Sequence, residues 1–471
     1  MSSTINHFFT PVLLALLLAG CTVDQNNFPD YELPVTTDFA VAEPSRSGND
    51  TPADFGEALP LDEAITLALQ HNPGIRVQKS RVQSARAGWW EARGKRLPHL
   101  SAKGAATHTL DDQRLVGARA PGEPGTYSSD QVGADLVLEL PLFTGGQLVN
   151  RASAARLLSQ ASMNRLGRTR KETVFNVTST FYAILEQRRV IESFRFSHTT
   201  VERQKQTIQD MIAVQKGVKV DLLRARVRLS DIEQQIITEE NRLDALHRFL
   251  ATQLGLETED KRLPVTGELS FAEDSRLFEV VSWDEILAGR QDYQALKQET
   301  TAAAKALAAA KGEYWPQVDL RGTYGGRWAA GDTVEQPGAS DSEDIGSVGL
   351  FLEVPLFAGG EISARMAGAR AELATFQESL RQLKLQIRLE VQNARDSMKA
   401  DTKRVQTTRA AIEEAREALD IEQTKYNLGK GTIVDVLDAQ DALLRAETNH
   451  VRAMAAYNTD LARLDLAQGK F

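Results

Sequence analysis

Two aspartates three residues apart, Asp435 and Asp438, are the residues of this 471-residue chain best placed to do chemistry. At i and i+3 they share one face of a helix. Neighbouring carboxylates repel, raise some of their own pKa values and favour bound cations. Taken by themselves they are most simply a solvated helix face. The remaining candidates fall away. Gly429-Lys-Gly-Thr432 resembles part of a phosphate loop, but the earlier glycine of Gly-x-x-x-x-Gly-Lys is missing and no strand precedes it. It reads as a turn. There is no His-Glu-x-x-His and no Gly-x-Ser-x-Gly. The seven histidines are scattered, and His450 suits a packed or solvated position better than a ligand set. Cys21 is the sole cysteine, which excludes an intrachain disulfide and a cysteine pair for a metal. The chain is therefore expected to be no enzyme, with no catalytic residue, metal or cofactor.

The aspartates belong to a duplicated framework. The segment 136–146, Leu-Val-Leu-Glu-Leu-Pro-Leu-Phe-Thr-Gly-Gly, returns at 350–360 as Leu-Phe-Leu-Glu-Val-Pro-Leu-Phe-Ala-Gly-Gly. Gly217, Val220 and Asp221 return as Gly431, Val434 and Asp435. Both matches are offset by 214 positions (136 to 350, 217 to 431), so the span between them keeps its length. A repeat of this size means two copies of one structural unit.

Proline and glycine divide each copy. No proline lies between Pro141 and Pro264, or after Pro355. Both stretches are rich in Ala, Leu, Arg, Gln and Glu, which lose least in a helix. Each predicts a helical hairpin, about 145–255 and 359–468, with tip turns at Gly217 and at Gly429 and Gly431. In the first hairpin Leu222, Leu229, Ile236, Leu243 and Leu250 recur every seven residues. Ala225, Ile232 and Leu246 fill the intermediate positions and Glu239 interrupts, a coiled-coil seam. The same register in the second hairpin, which includes His450, Tyr457 and Asp460, is more polar.

Alternating segments precede each hairpin, about 97–109 and 132–142, then 316–328 and 346–357. Ala134, Leu136, Leu138 and Leu140 share one face, while Asp135, Val137 and Glu139 share the other. This pattern fits a half-buried strand of a soluble sheet or a strand of a membrane barrel. Gly-, Pro-, Asp- and Ser-rich stretches at 110–131 and 329–345 read as loops. Shorter helices begin near Leu61 and Trp283.

The N-terminal 20 residues read as a signal peptide ending Leu18-Ala19-Gly20 before Cys21. Residues 21–59, with four prolines and little periodicity, read as a tether. The first repeat then spans 60–263, a linker 264–280, and the second repeat 281–471. The net charge of −9, with no basic stretch, argues against nucleic acid. After the signal no apolar run has the length of a spanning helix, so a membrane crossing has to be made by strands of a closed barrel. Four strands are too few to close one. Closure therefore needs several chains, and three would supply twelve strands.

This arrangement resembles the TolC-like outer-membrane efflux proteins, over residues 61–468. The resemblance is carried by Tyr426-Asn-Leu-Gly429-Lys-Gly-Thr432-Ile-Val-Asp435-Val-Leu-Asp438 and by the duplicated Pro-Leu-Phe-x-Gly-Gly. Leu18-Ala-Gly-Cys21 resembles the bacterial lipobox, although no Lys or Arg precedes Pro11. The lipobox points to the lipoprotein branch serving pumps of the resistance-nodulation-division (RND) type. The resemblance implies a mostly α fold with a small β part. It implies a homotrimer with a 12-stranded β-barrel in the outer membrane and an α-helical periplasmic tunnel. It further implies a lipid on Cys21, contact with outer-membrane lipid, a periplasmic adaptor, and an inner-membrane RND pump or an ABC exporter. Asp435 and Asp438 match the family's entrance aspartates, which three copies would gather into a ring. Tyr426 and Asp221 match a linked pair that latches the closed tip. A second family link needs an Arg where this chain has Gly431 and a Thr where it has Val220, so that link cannot form here. Lys430 stands next to the missing arginine.

Overall fold

A computed structural model describes residues 58–257, 262–272, 281–340 and 342–471. The signal peptide, Cys21 and nearly all of the tether lie outside the described residues. The elements run α1 (Leu61–His71), α2 (Pro73–Gly94), β1 (His99–Arg114), β2 (Thr126–Thr144), α3 (Gln147–Ala213), α4 (Lys219–Leu254), α5 (Trp283–Gly289), α6 (Gln291–Gly312), β3 (Gln317–Ala329), β4 (Thr333–Glu335), β5 (Ser342–Glu353), α7 (Glu361–Asn427) and α8 (Ile433–Gln468). The fold is mostly helical with one small sheet.

The duplication is kept to the residue in the hairpins. Helices α3 and α7 each have 67 residues, and α4 and α8 each have 36. At ~1.5 Å per residue the longer helices reach about 100 Å. Gly146 and Gly360 start α3 and α7 in the left-handed region, and Gly255 and Gly469 end α4 and α8 the same way. Upstream the offset is 218 rather than 214, since α2 begins at 73 and α6 at 291. The four-residue change falls in the loops between the strands.

The sheet is antiparallel in the order β1-β2-β3-β5, with β4 pairing the far end of β2. The last strand of the first repeat pairs directly with the first strand of the second, Leu136 opposite Tyr324 and Leu140 opposite Leu320. Among the described residues one chain thus forms a continuous sheet with two open edges, β1 and β5. Two expectations need correction. The loops predicted at 110–131 and 329–345 are shorter, because β1 and β2 run on to 114 and back to 126, and β4 and the start of β5 occupy much of the second. Face alternation fades in these extensions, past a register shift between His108 and Gln113, so periodicity does not reveal them. Conversely, β5 stops at Glu353, not 357. Its partner β3 begins only after Pro316, so among the described residues nothing pairs β5 beyond Glu353. The matching stretch of β2 stays paired with β3 through a shift between Pro141 and Phe143.

Helix packing supplies the core. In the first repeat α1 lies against α3 and α4, where Ala64, Ala68, Val177, Phe181, Ile184, Leu250 and Leu254 are buried. In the second, Ile286, Leu287 and Tyr293 pack on Ile387, Val391, Met398, Tyr457 and Leu464. Segment 262–272 joins the two clusters. Val265 bridges Leu59 and is buried in the first, Phe271 packs on the second, and Asn458 Nδ2 donates to Ser270 O at 2.9 Å. The predicted seam is present, with Ala225, Leu229, Ile232, Leu243 and Leu250 buried. Glu239 interrupts it and is itself buried, accepting a hydrogen bond from Gln187.

Candidate gate at the hairpin tips

Each hairpin turns in five residues, 214–218 and 428–432. The residue in the left-handed region is Gln215 in the first turn (φ 56°) and Gly429 in the second (φ 71°), at equivalent positions. Gly217 and Gly431 serve differently, since neither has positive φ. A Cβ on Gly217 would lie 2.9 Å from Ile212 N, and one on Gly431 3.2 Å from Tyr426 N. Their lack of a side chain lets the chain fold back onto the helix it has just left.

The two equivalent tip acids are used differently. Thr432 caps α8 with a reciprocal box: Asp435 N donates to Thr432 Oγ1 at 3.3 Å, while Thr432 N and Oγ1 donate to Asp435 Oδ2 at 3.0 and 2.7 Å. The Thr432 hydroxyl and backbone N–H, with Lys425 adding to them, hold the Asp435 carboxyl below its usual range. In the first repeat the capping position is Val218, whose side chain has no oxygen to offer. Asp221, at the position matching Asp435, is thereby released. It pairs with Arg224 at 3.7 Å and faces Tyr426. Burial, and then the Asp221 carboxylate, push the Tyr426 hydroxyl above its ordinary pKa. Among the described residues no hydrogen bond joins Tyr426 to Asp221. Asp438 stands one helical turn beyond Asp435, exposed on the same face.

The tip also contains a link that motif reading missed. Arg228 on α4 forms an ion pair with Asp441 on α8, and Arg445 reaches the same carboxylate at 2.6 Å. Beneath it Ile208, Ala225, Ile433 and Val436 form a core shared by both hairpins, with Tyr426 packed alongside. Asp441 lies three residues beyond Asp438, so the run of acids at spacing three was the available signal. Lys430 is exposed and makes no ion pair among the described residues.

Away from the hairpin tips the sheet presents two unlike faces. Leu136, Tyr324, Val348, Leu350 and Leu352 lie on one face and are exposed, Leu350 by 68%. Asp135, Arg327, Thr323 and Ser347 lie on the opposite one. There Arg327 donates to both oxygens of Asp135, at 2.8 and 2.9 Å, and Thr323 and Ser347 hydroxyls meet at 2.8 Å. An apolar face toward solvent on one side, and ion pairs on the other, is the pattern of a strand set between lipid and an aqueous lumen. No helix among the described residues is long and apolar enough to cross a membrane.

Open sheet edges above paired, equally long hairpins define an outer-membrane channel protein. The sequence model of the outer membrane efflux protein family matches residues 64–256 and 283–470, and the chain belongs to that family. It is an outer-membrane component of an efflux system whose helices extend into the periplasm. It is 24% identical over 403 residues to the pyoverdine export outer membrane protein OpmQ of Pseudomonas putida, covering 83% of this chain and 82% of that one. It is 21% identical over 413 residues to the outer membrane protein TolC of Vibrio cholerae, covering 87% and 90%. Among solved structures, the outer-membrane channel OprN superposes with a TM-score of 0.74 at 20% identity, covering 87% of this chain and 90% of that chain.

Proposed function

We propose that three copies of this chain close their open sheet edges into a 12-stranded barrel and act as a passive exit duct for small molecules such as drugs. The observation that carries this reading is the amphipathic sheet β1-β2-β3-β5, whose two edges are unpaired among the described residues. In lipid each unpaired backbone group is costly, so such a sheet has to close on further copies. A lipid-anchored spacer without a pore would need the long helices but not the apolar sheet face. The energy for export comes from an inner-membrane RND pump joined through a periplasmic adaptor. Capture of an ABC exporter in its place would assign the duct to type I protein secretion. Cys21 carries a lipid that adds an anchor in the outer membrane.

In the trimer Asp435 and Asp438 ring the periplasmic entrance, and Tyr426 and Asp221 hold the two hairpins in the closed state. The tip turns at Gly217, Gly429 and Gly431 set the level of that ring. A carboxylate ring at a constriction binds cations and filters charge. The decisive measurement is single-channel conductance of assembled trimers in planar bilayers. Discrete openings blocked by divalent cations are expected. Assembled trimers that pass no current, even with Asp438 neutralised, would sink the reading. Fatty-acid labelling that survives Cys21→Ser would remove the anchor.

A further inference from the structure

Helices α3 and α7 align residue for residue, so position 187 in the first repeat corresponds to position 401 in the second. Position 187 is Gln187, 2% exposed. Its Nε2 donates to Glu239 Oε2 at 2.6 Å and to the Glu239 carbonyl at 3.1 Å, fastening α3 to α4. An amide can donate at any pH. Position 401 is Asp401, 3% exposed, within hydrogen-bonding reach of Asp460 on α8, which is 8% exposed. Two ionised carboxylates offer only acceptors, so this link exists only while one of them holds a proton.

The pair borders a cavity of about 460 Å³ between α3, α7 and α8. That is ample for water, which gives the proton a way in and out. The charged groups facing it come from all three helices. Arg404 on α7 reaches Asp401 at 2.5 Å, and Arg463 on α8 reaches Asp460 at 2.5 Å. The Arg463 guanidinium also lies 5.9 Å from the centre of the Phe175 ring of α3. Arg452 on α8 faces Glu186 on α3 at 3.9 Å. Both Arg404 and Arg463 have half their side chains in solvent, so they screen the pair incompletely. Burial first, and then the nearness of Asp460, push the Asp401 carboxyl up to about 6. Burial also pushes Glu186 upward, against Arg242 and Arg452.

We propose that Asp401 and Asp460 form a proton-operated clasp within the second hairpin, closed by one shared proton and opened when that proton leaves. The Asp401 O–H donates to the Asp460 carboxylate when closed. On opening, the proton passes to water in the cavity and the two anions repel. The α7–α8 contact then loosens about 40 Å from the tip, 26 residues at ~1.5 Å each. The amide link of the first hairpin stays shut throughout. The α7–α8 contact of the hairpin carrying Asp435 and Asp438 is thus stiff in acid and supple toward neutral pH, while the Gln187–Glu239 link of its partner holds. This goes beyond the duct reading and depends only on contacts within one chain.

Hydrogen–deuterium exchange on the full-length protein in detergent tests it, with rates corrected for the intrinsic effect of pH. Between about pH 5 and pH 8, peptides spanning 395–407 and 454–466 are expected to exchange roughly tenfold faster above the transition than below it. Peptides around Glu239, on the helix opposite Gln187, should show no step. Asp401→Asn copies the amide of the first repeat and should remove the step, leaving exchange slow throughout. Wild-type peptides without a step, or a step that persists in Asp401→Asn, overturn the clasp. Should that variant fail to assemble, infrared titration of the wild-type protein decides. A protonated carboxyl band lost near pH 6 is expected, and its absence at pH 5 overturns the proposal.

Discussion

Arg228 on the first hairpin and Asp441 on the second form an ion pair about two turns above the tip, binding the hairpins to each other. The pair has no counterpart in the repeat, since position 442 is Ala and position 227 is Val. It lies beside the core formed by Ile208, Ala225, Ile433 and Val436, so charge and packing converge on one level. Both side chains are about three-quarters covered. Breaking a pair so placed costs about 1–2 kcal/mol, between the values for exposed and for buried pairs. Arg228→Ala should therefore loosen the closed tip by roughly five- to thirtyfold in its opening equilibrium. Single-channel recording would show this as a higher open probability. An unchanged open probability would show that the pair ornaments a tip held by other contacts.

Asp435 and Asp438 should prove unequal when neutralised. Asp438 is exposed and forms no part of the cap, so Asp438→Asn is expected to weaken divalent-cation block while leaving α8 intact. Asp435 completes the capping box, so Asp435→Asn disturbs the start of α8 as well as the charge. Thr432→Val, which copies Val218 of the first repeat, should cost about 1 kcal/mol of helix stability. It should also let the Asp435 carboxyl pKa rise toward its ordinary value. Carboxylate NMR or exchange at residues 433–437 would check this. An α8 terminus as protected as in wild type would mean that the box is dispensable.

The large features were legible because they rest on local composition and on repetition. Proline-free, Ala- and Leu-rich stretches predicted α3, α4, α7 and α8, and an unchanged spacing predicted their matched lengths. The register at Leu222, Leu229 and Leu243 predicted which face of α4 packs. Strand ends were less legible, because Pro316 shortens β5 through its partner β3, which no periodicity within β5 encodes. At the tip, Tyr426 and Asp221 could be paired only by resemblance. Structure brings them near but gives Asp221 to Arg224 as well. The run of acids at spacing three pointed to Asp441, but its partner Arg228 could not be read, since the two lie 213 residues apart and meet only when both hairpins are built.

Stability should fall in mild acid on account of His247, which is buried on α4 among Asp244, Arg262 and Arg188. Burial, with Arg262 adding to it, pushes its pKa down to about 4. The folded protein thus binds this proton less tightly than the unfolded chain. The stabilising contribution of neutral His247 is complete above about 6.5 and is lost as pH falls toward about 4. Fully expressed, that amounts to about 3 kcal/mol. Asp401 acts in the opposite sense. Its raised pKa contributes stability that is complete below about 3.8 and lost as pH rises through about 6. The His247→Phe and Asp401→Asn variants should therefore tilt the melting-temperature profile in opposite directions between pH 4 and 6.5. Parallel profiles for both variants and the wild type would refute the assignment of either group.

Arg290 offers the most severe single test of the middle of the chain. Its side chain is 1% exposed where α5, α6, α7 and the end of α8 meet. It donates to Asp292 through Nε and Nη2, at 2.9 and 2.5 Å, and through Nη1 to Glu390 at 2.7 Å and the Ala467 carbonyl at 3.2 Å. Those two carboxylates also draw the guanidinium pKa further up against its burial. Lys171 closes the site from α3, its Nζ 2.9 Å from the Gly469 carbonyl. Four helices thus converge on one guanidinium, whose planar fork matches this geometry and which an ammonium cannot replace. Removing it leaves Asp292 and Glu390 facing each other without their cation. Arg290→Met should then cost about 3 kcal/mol, at the low end for a broken buried pair because Glu390 keeps some solvent. Arg290→Lys should recover only part of it. A second replacement in the same molecule, Asp292→Leu, should restore some of the loss, since an apolar pair is better tolerated than half an ionic one. Thermal unfolding in detergent would rank the variants, and an Arg290→Met protein melting with the wild type would show that the surrounding packing, not the arginine, holds the four helices together.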